Sequence, residues 1–402
     1  MFELRPIFSA LLRSKSGPLL IILQLALTLA VVANAAHIIQ ERLTLMARDS
    51  GVVESELIAF TVAEMHMDKD FISQRRMDEQ ALRAIPGVID AAASNQVPLT
   101  GSGSSTTVSS KPEGEEGGVD LNLGYYQGNE HLFPTLGLTL VEGRAFTAND
   151  ILTDATPATL PSQVMLSRYA AERYFPEESA VGKQIYLHDH AVEVVGVYDT
   201  LQTPWAHRDH TYASAIVPME NGNFFARYMV RVEASQRDAV LTQIEDAMLK
   251  VAPDRVILSL RSFDDIRSRA YRNDNAMAKL LGTVIVLLLV VTALGIVGLA
   301  SYSVGQRRKQ IGTRRALGAT RAAIVRHFLT ENLMICVAGV VLGTLAAFAL
   351  NQYLMHHYEL TRLPLAYLGS TLVGLVLLSQ LAAATPAIKA AQVSPALATR
   401  SV

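Results

Sequence analysis

The sequence predicts an α-helical membrane protein of four spans carrying one large α+β domain outside the bilayer. Three observations predict it. Half of the 402 residues are hydrophobic and only 18% are charged, a balance of membrane chains rather than of soluble enzymes. Four stretches, 17–40, 280–306, 332–358 and 363–388, contain no Asp, Glu, Lys or Arg, and about 20 apolar residues suffice to cross the hydrocarbon. One central charge costs about 2.5–3.5 kcal/mol on insertion, so four such gaps mark spans. The long region between the first two gaps is rich in both signs of charge, as a solvated domain requires.

Residues 1–16 hold Arg5, Arg13 and Lys15 and are expected in the cytoplasm, followed by span one at 17–40. The same start, a basic stretch, an apolar run and Ala33-Asn34-Ala35, also fits a cleaved signal peptide. The apolar run continuing through Ile38 and Ile39 favours a span. Ala26, Ala30 and Asn34 share one face of this helix. Such rows of small residues let helix backbones approach closely, although Ala is also common in membranes for no packing reason. Gln24 and Asn34 are expected to face protein, because an unpaired amide in hydrocarbon is costly.

The domain outside is expected over 41–278. Residues 57–62 read as a strand, 77–85 as a helix ended by Pro86-Gly87, and 88–94 as a strand. Near its far end, 228–232 reads as a strand, 236–251 as a helix with Ala239, Val240, Ile244, Met248 and Val251 on one side, and 255–260 as a strand. Two strand–helix–strand units separated by an insertion predict a split ferredoxin-like layer. The insertion, about 97–218, opens on Gly101-Ser102-Gly103-Ser104-Ser105 and then 113–118, both read as loops. Strand-like runs at 183–187 and 192–197 make it a β-rich subdomain. Residues 262–279 read as one helix leading into span two.

Span two is expected at 279–304, a basic segment at 305–328, span three at 329–352, a short outer loop at 353–362, span four at 363–385 and a tail at 386–402. Arg307, Arg308, Lys309, Arg314, Arg315, Arg321 and Arg326 lie between spans two and three, and no acidic residue occurs between Asp274 and Glu331. Lys389 and Arg400 follow span four. With four spans, all three basic zones fall on one side, which places both termini in the cytoplasm. Gly339, Gly343 and Ala347 form a small-residue row on span three. Cys336, the single cysteine, excludes an internal disulfide and reads as a buried thiol.

Candidate chemistry is sparse. No GxxxxGK[ST] phosphate loop occurs; Gly182-Lys183 is followed by Gln184 and lacks the upstream glycine. The chain is therefore not expected to act as an enzyme or to hold a cofactor or metal. His188-Asp189-His190, with His207 and His210 downstream, offers imidazoles but not a full zinc ligand set. Gly101-Ser102-Gly103-Ser104-Ser105 lacks the last glycine of a nucleophile elbow. A net charge of −2 leaves no field for nucleic acid.

In the basic segment, Gly318 suits a helix C-terminus and Thr320 the N-cap of the next helix, with Ile311 and Leu317 as apolar points among cations. By composition alone this is an ordinary topology-setting loop. Arg307-Arg308-Lys309-Gln310-Ile311-Gly312-Thr313-Arg314-Arg315-Ala316-Leu317-Gly318-Ala319-Thr320, however, resembles the MacB/FtsX-like permease signature R-R-x-E-I-G-x-R-R-A-L-G-A-T. Phe133-Pro134-Thr135-Leu136-Gly137-Leu138 with Glu142-Gly143-Arg144-Ala145-Phe146 resembles a second segment of that family. Residues 170–175 with Ala180-Val181-Gly182-Lys183 resemble a third, and 386–391 with Pro395-Ala396-Leu397 its closing motif. Gln310 replaces the usual Glu, and span one, with Gln24, Thr28 and Asn34, lacks the usual Gly-Ile-rich pattern; these departures fit a specialised branch or one half of a heterodimer.

The resemblance implies a permease subunit in the bacterial inner membrane, with a MacB-type periplasmic core. It implies a separate ABC ATPase subunit, which carries the ATP and Mg, and a second permease subunit, homodimeric or heterodimeric. ATP hydrolysis there would drive mechanotransmission through the spans without a continuous pore. A periplasmic adaptor and an outer-membrane channel, as in tripartite export of antibiotics or peptides, complete the expected partners; lipid surrounds the spans. The alternatives within the family are lipoprotein release and regulation of cell-wall hydrolases. From another class, a membrane-anchored sensor or hydrolase acting alone would need a catalytic constellation. The resemblance assigns ATPase coupling to Arg307, Arg308, Gln310, Ile311, Gly312, Arg314, Arg315, Ala316, Leu317, Gly318, Ala319 and Thr320.

Overall fold

The computed structural model describes residues 16–66, 70–153, 160–220, 222–358 and 361–394. Arg5, Arg13, Lys15, Arg400 and the Pro395-Ala396-Leu397 part of the closing motif lie outside them. The chain divides into two compact units, one formed by its two ends and one by Leu45–Asn273. Its first long helix is α1 (Ser16–Met46).

The Leu45–Asn273 unit contains two sheets. The first is made of β1 (Leu57–Glu64), β2 (Val88–Ser94), β10 (Phe225–Val232) and β11 (Arg255–Ser262), in the order β11-β1-β10-β2 and antiparallel throughout. Between β1 and β2 runs α2 (Phe71–Arg83). It starts six residues earlier than its apolar pattern predicts, because Asp70 caps it by accepting from the Ile72 and Ser73 N–H groups. Leu82 of α2 is buried with Ile58, Phe60, Val62, Tyr228 and Val230 on one face of this sheet. The opposite face is also covered: Leu57, Ala59, Ala92 and Met229 join a separate cluster. Strands buried on both faces lose the alternation that marks a half-solvated strand, which is why β1 alternates poorly.

The inserted segment supplies β3 (Ser105–Ser109), β4 (Asp120–Gly128), the short helix α3 (Leu132–Leu136), β5 (Leu140–Gly143), β6 (Gln163–Ser167), α4 (Arg168–Tyr174), β7 (Gln184–Leu187), β8 (His190–Tyr198) and β9 (Ser214–Pro218). Its sheet runs β5-β8-β6-β9-β4-β3-β7, and β7 also pairs with β8. Strands β8, β6, β9, β4, β3 and β7 thus close into a ring, the β3–β7 junction resting on the single pair Ser109↔Tyr186. Closure removes exposed edges. Inside lie Val108, Leu123, Val164, Ile185, Val194 and Ala215, with Ala170 and Tyr174 of α4 among them.

After β10 comes α5 (Arg237–Val251), whose Val240, Ile244 and Met248 pack beside Leu82. The single helix expected over 262–279 is instead two. Ser262 caps α6 (Phe263–Ala270), and Tyr271 ends it. Tyr271 is buried, its hydroxyl donating to Gln202 Oε1 at 3.4 Å. Holding this ring in the core takes the chain out of helical geometry before α7 (Arg272–Gln306) begins.

The other unit consists of α1, α7, the short α8 (Arg308–Ala316), α9 (Arg321–Tyr358) and α10 (Leu365–Ala391). Four of these are long and apolar enough to span a membrane. The 38-residue α9 is about 57 Å long at about 1.5 Å per residue, well beyond about 30 Å of hydrocarbon. Its helix therefore continues through much of the loop expected at 353–362. Likewise α10 runs past residue 385, with Pro386 inside it. Leu25 and Leu29 of α1, Ile296 of α7, Cys336 of α9 and Leu375 of α10 share one core, in which the Cys336 thiol is fully buried.

Candidate functional site

The basic hairpin between α7 and α9 is built by local signals. Helix α8 closes with the Gly318 N–H donating to Arg315 O at 3.1 Å and the Ala319 N–H to Arg314 O at 3.0 Å, the paired bonds of a Schellman motif. Gly318 has φ +97°, a left-handed conformation that a side chain disfavours. The Thr320 hydroxyl then accepts from the Ala323 N–H at 3.2 Å, capping α9.

The hairpin has an inner and an outer side. Ile311 and Gly312 are buried, Ile311 against Val304, Ile324, Ala390 and Ala391. Arg307 also turns inward, its Nη1 lying 3.0 and 2.8 Å from the two carboxylate oxygens of Glu331. Arg315 is half-buried and donates to Val393 O, and Ala319 is half-buried beside it. The outer side presents Arg308, Gln310, Arg314, Ala316, Leu317, Gly318 and Thr320 to solvent. Leu317 is 83% exposed. Of the two apolar points expected to meet a partner, only Leu317 is available; Ile311 belongs to the hairpin's own core. Glu331 was missed as a site residue. Its signal was its position, the first acid after Asp274 and directly beyond an arginine run.

The two small-residue rows meet. A Cβ on Gly339 would lie 2.8 Å from Leu25 Cβ and 3.2 Å from Ile22 O; one on Gly343 would lie 3.0 Å from Ala26 Cα. Ala30 and Ala347 are buried together, and Asn34 Nδ2 donates to Ala30 O at 2.9 Å and to Ala347 O at 3.1 Å. Gln24 faces Gly295 of α7, and Thr28 bonds Thr292 at 2.8 Å.

The remaining motif residues hold the outer unit together. Gly143 sits at φ +73° with no room for a Cβ, which would lie 2.2 Å from Val195 O. Arg144 pairs with Asp150 through both terminal nitrogens, at 2.7 and 2.9 Å, and holds the Asp150 carboxyl well below the usual carboxylate range. Leu132, Leu136 and Phe146 are buried in one cluster. The histidines do not converge: His188 lies between the strands of the β7–β8 hairpin at φ +56°, His190 bonds Pro161 O, and His210 bonds the Tyr169 hydroxyl.

Comparison with known proteins matches residues 21–248 to the MacB-like periplasmic core domain and residues 282–395 to the FtsX-like permease C-terminal domain. The macrolide export ATP-binding/permease protein MacB of Neisseria gonorrhoeae is 24% identical over 307 residues, covering 74% of this chain and 45% of that protein. Its counterpart in Chromobacterium violaceum is 25% identical over 244 residues, covering 58% and 36%. The chain thus spans less than half the length of these relatives. Among solved structures, the periplasmic region of MacB from Actinobacillus actinomycetemcomitans aligns at 14% identity with a TM-score of 0.33, covering 56% of this chain and 97% of that one. With four apolar helices and both family domains in sequence order, the chain belongs to the MacB/FtsX-like family of ABC transporter permeases and is an inner-membrane protein.

Proposed function

We propose that this chain is the permease subunit of a mechanotransmission ABC transporter, coupled through the outer side of the 307–320 hairpin to a separate ATPase subunit that binds the ATP and Mg. The observation that carries this reading is the two-sidedness of the hairpin. Ile311 and the Arg307–Glu331 pair fasten it to α9 and α10, while Arg308, Arg314 and Leu317 stand free on its outside. A handle fixed to the spans and exposed on one side transmits rigid-body displacement. The chain itself hydrolyses no ATP in this reading, and its hairpin, with both termini, faces the cytoplasm.

The reading extends to the rest of the assembly. A second permease subunit completes the transporter, as a homodimer or heterodimer. The strand order β11-β1-β10-β2, with α2 and α5 on one face, supports reading that sheet as a split ferredoxin-like layer. The MacB relatives are described as macrolide export ATP-binding/permease proteins, which supports export as the task; a periplasmic adaptor and an outer-membrane channel, making the assembly tripartite, remain part of this proposal. The test uses the full chain, tagged, in native membranes. Leu317→Asp and Arg314→Glu together should cut copurification of an ATPase subunit at least tenfold while membrane insertion persists. Unchanged copurification would overturn the contact.

A further inference from the structure

The outer unit holds a cavity of about 590 Å³, within the roughly 300–1,000 Å³ range of small-ligand sites. Its floor is the face of the first sheet turned away from α2 and α5. Strand alternation puts Ala59 and Thr61 on this face, with Arg261 opposite Ala59 and Arg227 opposite Thr61. Residues 97–102, 204–208 and α6 form the walls.

The charge of this cavity is one-sided. Arg208, Arg227, Arg261 and Arg269 line it, and among the described residues no Asp or Glu does. The whole chain carries 37 acidic against 35 basic residues, so the segregation is local. The cations are also weakly compensated. Arg208 bonds Ser105 Oγ at 3.2 Å and Asn122 Oδ1 at 3.3 Å, both neutral, and its guanidinium lies 3.6 Å over the Trp205 ring. Arg227 donates to Asn95 O and to Ser102 Oγ, and burial pushes its pKa down. Arg261 and Arg269 share one carboxylate, Asp265, at 3.6 and 3.1 Å. Four guanidinium groups against one acid leave a concentrated positive field in a concave, partly apolar site.

The backbone is shaped around it. Leu99 and Ser259, both lining the cavity, adopt φ +63° and +57°. Ser259 falls at the register shift between β1 and β11. Non-glycine residues in this region are strained and gather at binding sites. Val97, Leu99, Trp205 and Ile266 supply an apolar wall.

We propose that this cavity binds an amphiphilic anion, a phosphate or carboxylate on an apolar body, with Arg227, Arg261 and Arg269 holding the anion and Trp205 packing on the body. The inference concerns binding, not transport, and stands apart from the ATPase-coupling reading.

Trp205 is the single tryptophan of the chain, so intrinsic fluorescence reads this cavity directly. Full-length protein in phosphatidylcholine proteoliposomes should show a saturable fluorescence change with octyl phosphate and none with octanol or octyltrimethylammonium. Arg261→Ala and Arg269→Ala should each raise the Kd about tenfold, and Asp265 keeps one arginine in each. Displacement by dihexanoyl phosphatidylglycerol would assign the site to lipid headgroups, and displacement by octanoate alone to soluble carboxylates; either supports the proposal. A flat response to octyl phosphate, an equal response to octanol, or an unchanged Kd in both variants would overturn it. Inorganic phosphate binding as tightly as octyl phosphate would also overturn it, because the apolar wall would then contribute nothing.

Discussion

Asp78 and Arg255 form a charge pair with side chains 1% and 0% exposed. The guanidinium meets the carboxylate through two parallel bonds of 2.7 and 2.8 Å. The Tyr228 hydroxyl donates to the same carboxylate at 2.7 Å, and Arg255 Nε donates to Ala252 O. One residue each from α2, β10 and β11 is tied at this point. Removing Asp78 takes two short charge-assisted bonds from the buried Arg255 guanidinium and leaves it the longer contact to Glu64 at 3.7 Å, at a cost of up to about 3–5 kcal/mol, whereas replacing both partners by apolar groups is far milder. Asp78→Ala should therefore lower unfolding stability by up to about 3–5 kcal/mol in chemical denaturation of the full chain. The Asp78→Leu, Arg255→Met double variant should lose much less than the two single changes summed. A strictly additive cycle would mean that the pair is not energetically coupled. Nothing in the sequence announces this pair: its members stand 177 positions apart, and α2 buries both of its acids, Asp78 and Glu79, against the usual preference of carboxylates for water.

The seam between α1 and α9 shows where sequence reading succeeds. Rows at four-residue spacing share a helix face whatever the helix packs against, so Ala26, Ala30, Gly339, Gly343 and Ala347 could be picked out before any neighbour was known. Gly318 and Thr320 were legible for the same reason, since caps depend on a few adjacent residues. The inward turn of Ile311 and Arg307 was not, because its cause lies in Glu331 and in Ala390 and Ala391 of another helix. The closed ring of strands was hidden too, since three of its contacts join segments far apart in the chain. The seam carries a prediction. Gly343→Leu forces a Cβ to within 3.0 Å of Ala26 Cα and 2.9 Å of Leu29 Cβ, and such overpacking costs about 1–3 kcal/mol. Its Tm in detergent should fall by several degrees, while Gly298→Leu, whose Cβ meets nothing within 4 Å, should leave Tm in place. Equal shifts in the two variants would remove the seam as the cause.

For the whole molecule to work as a transmission, the chain must be held firmly where it passes from membrane helices into the Leu45–Asn273 unit, which it does at the end of α1 and again at the start of α7. Arg267 on α6 addresses both. Its Nη2 donates to Met46 O at 2.6 Å and to Arg48 O at 2.7 Å, its Nη1 meets the Glu54 carboxylate, and its guanidinium lies 5.6 Å from the Tyr271 ring centroid. Met46 is the last residue of α1, so the cation satisfies a terminal helix carbonyl and complements the helix dipole. Tyr271 is the residue at which the expected single lever is broken in two. A lever with such a joint transmits force only if the joint is braced, and Arg267 is the brace that the packing supplies. Arg267→Ala removes hydrogen bonds from a charged donor worth about 1.5–3 kcal/mol, and about 1.4 kcal/mol is a tenfold change in a local opening equilibrium. Amides of 45–50 and of α6 should then exchange at least tenfold faster in full-length protein, with α5 unchanged. Under the proposed coupling to an ATPase subunit, nucleotide-driven response of the Leu45–Asn273 unit should weaken even though the hairpin at 307–320 is intact. Unaltered exchange at 45–50 would show that the end of α1 is held by its packing alone, and that Arg267 braces nothing.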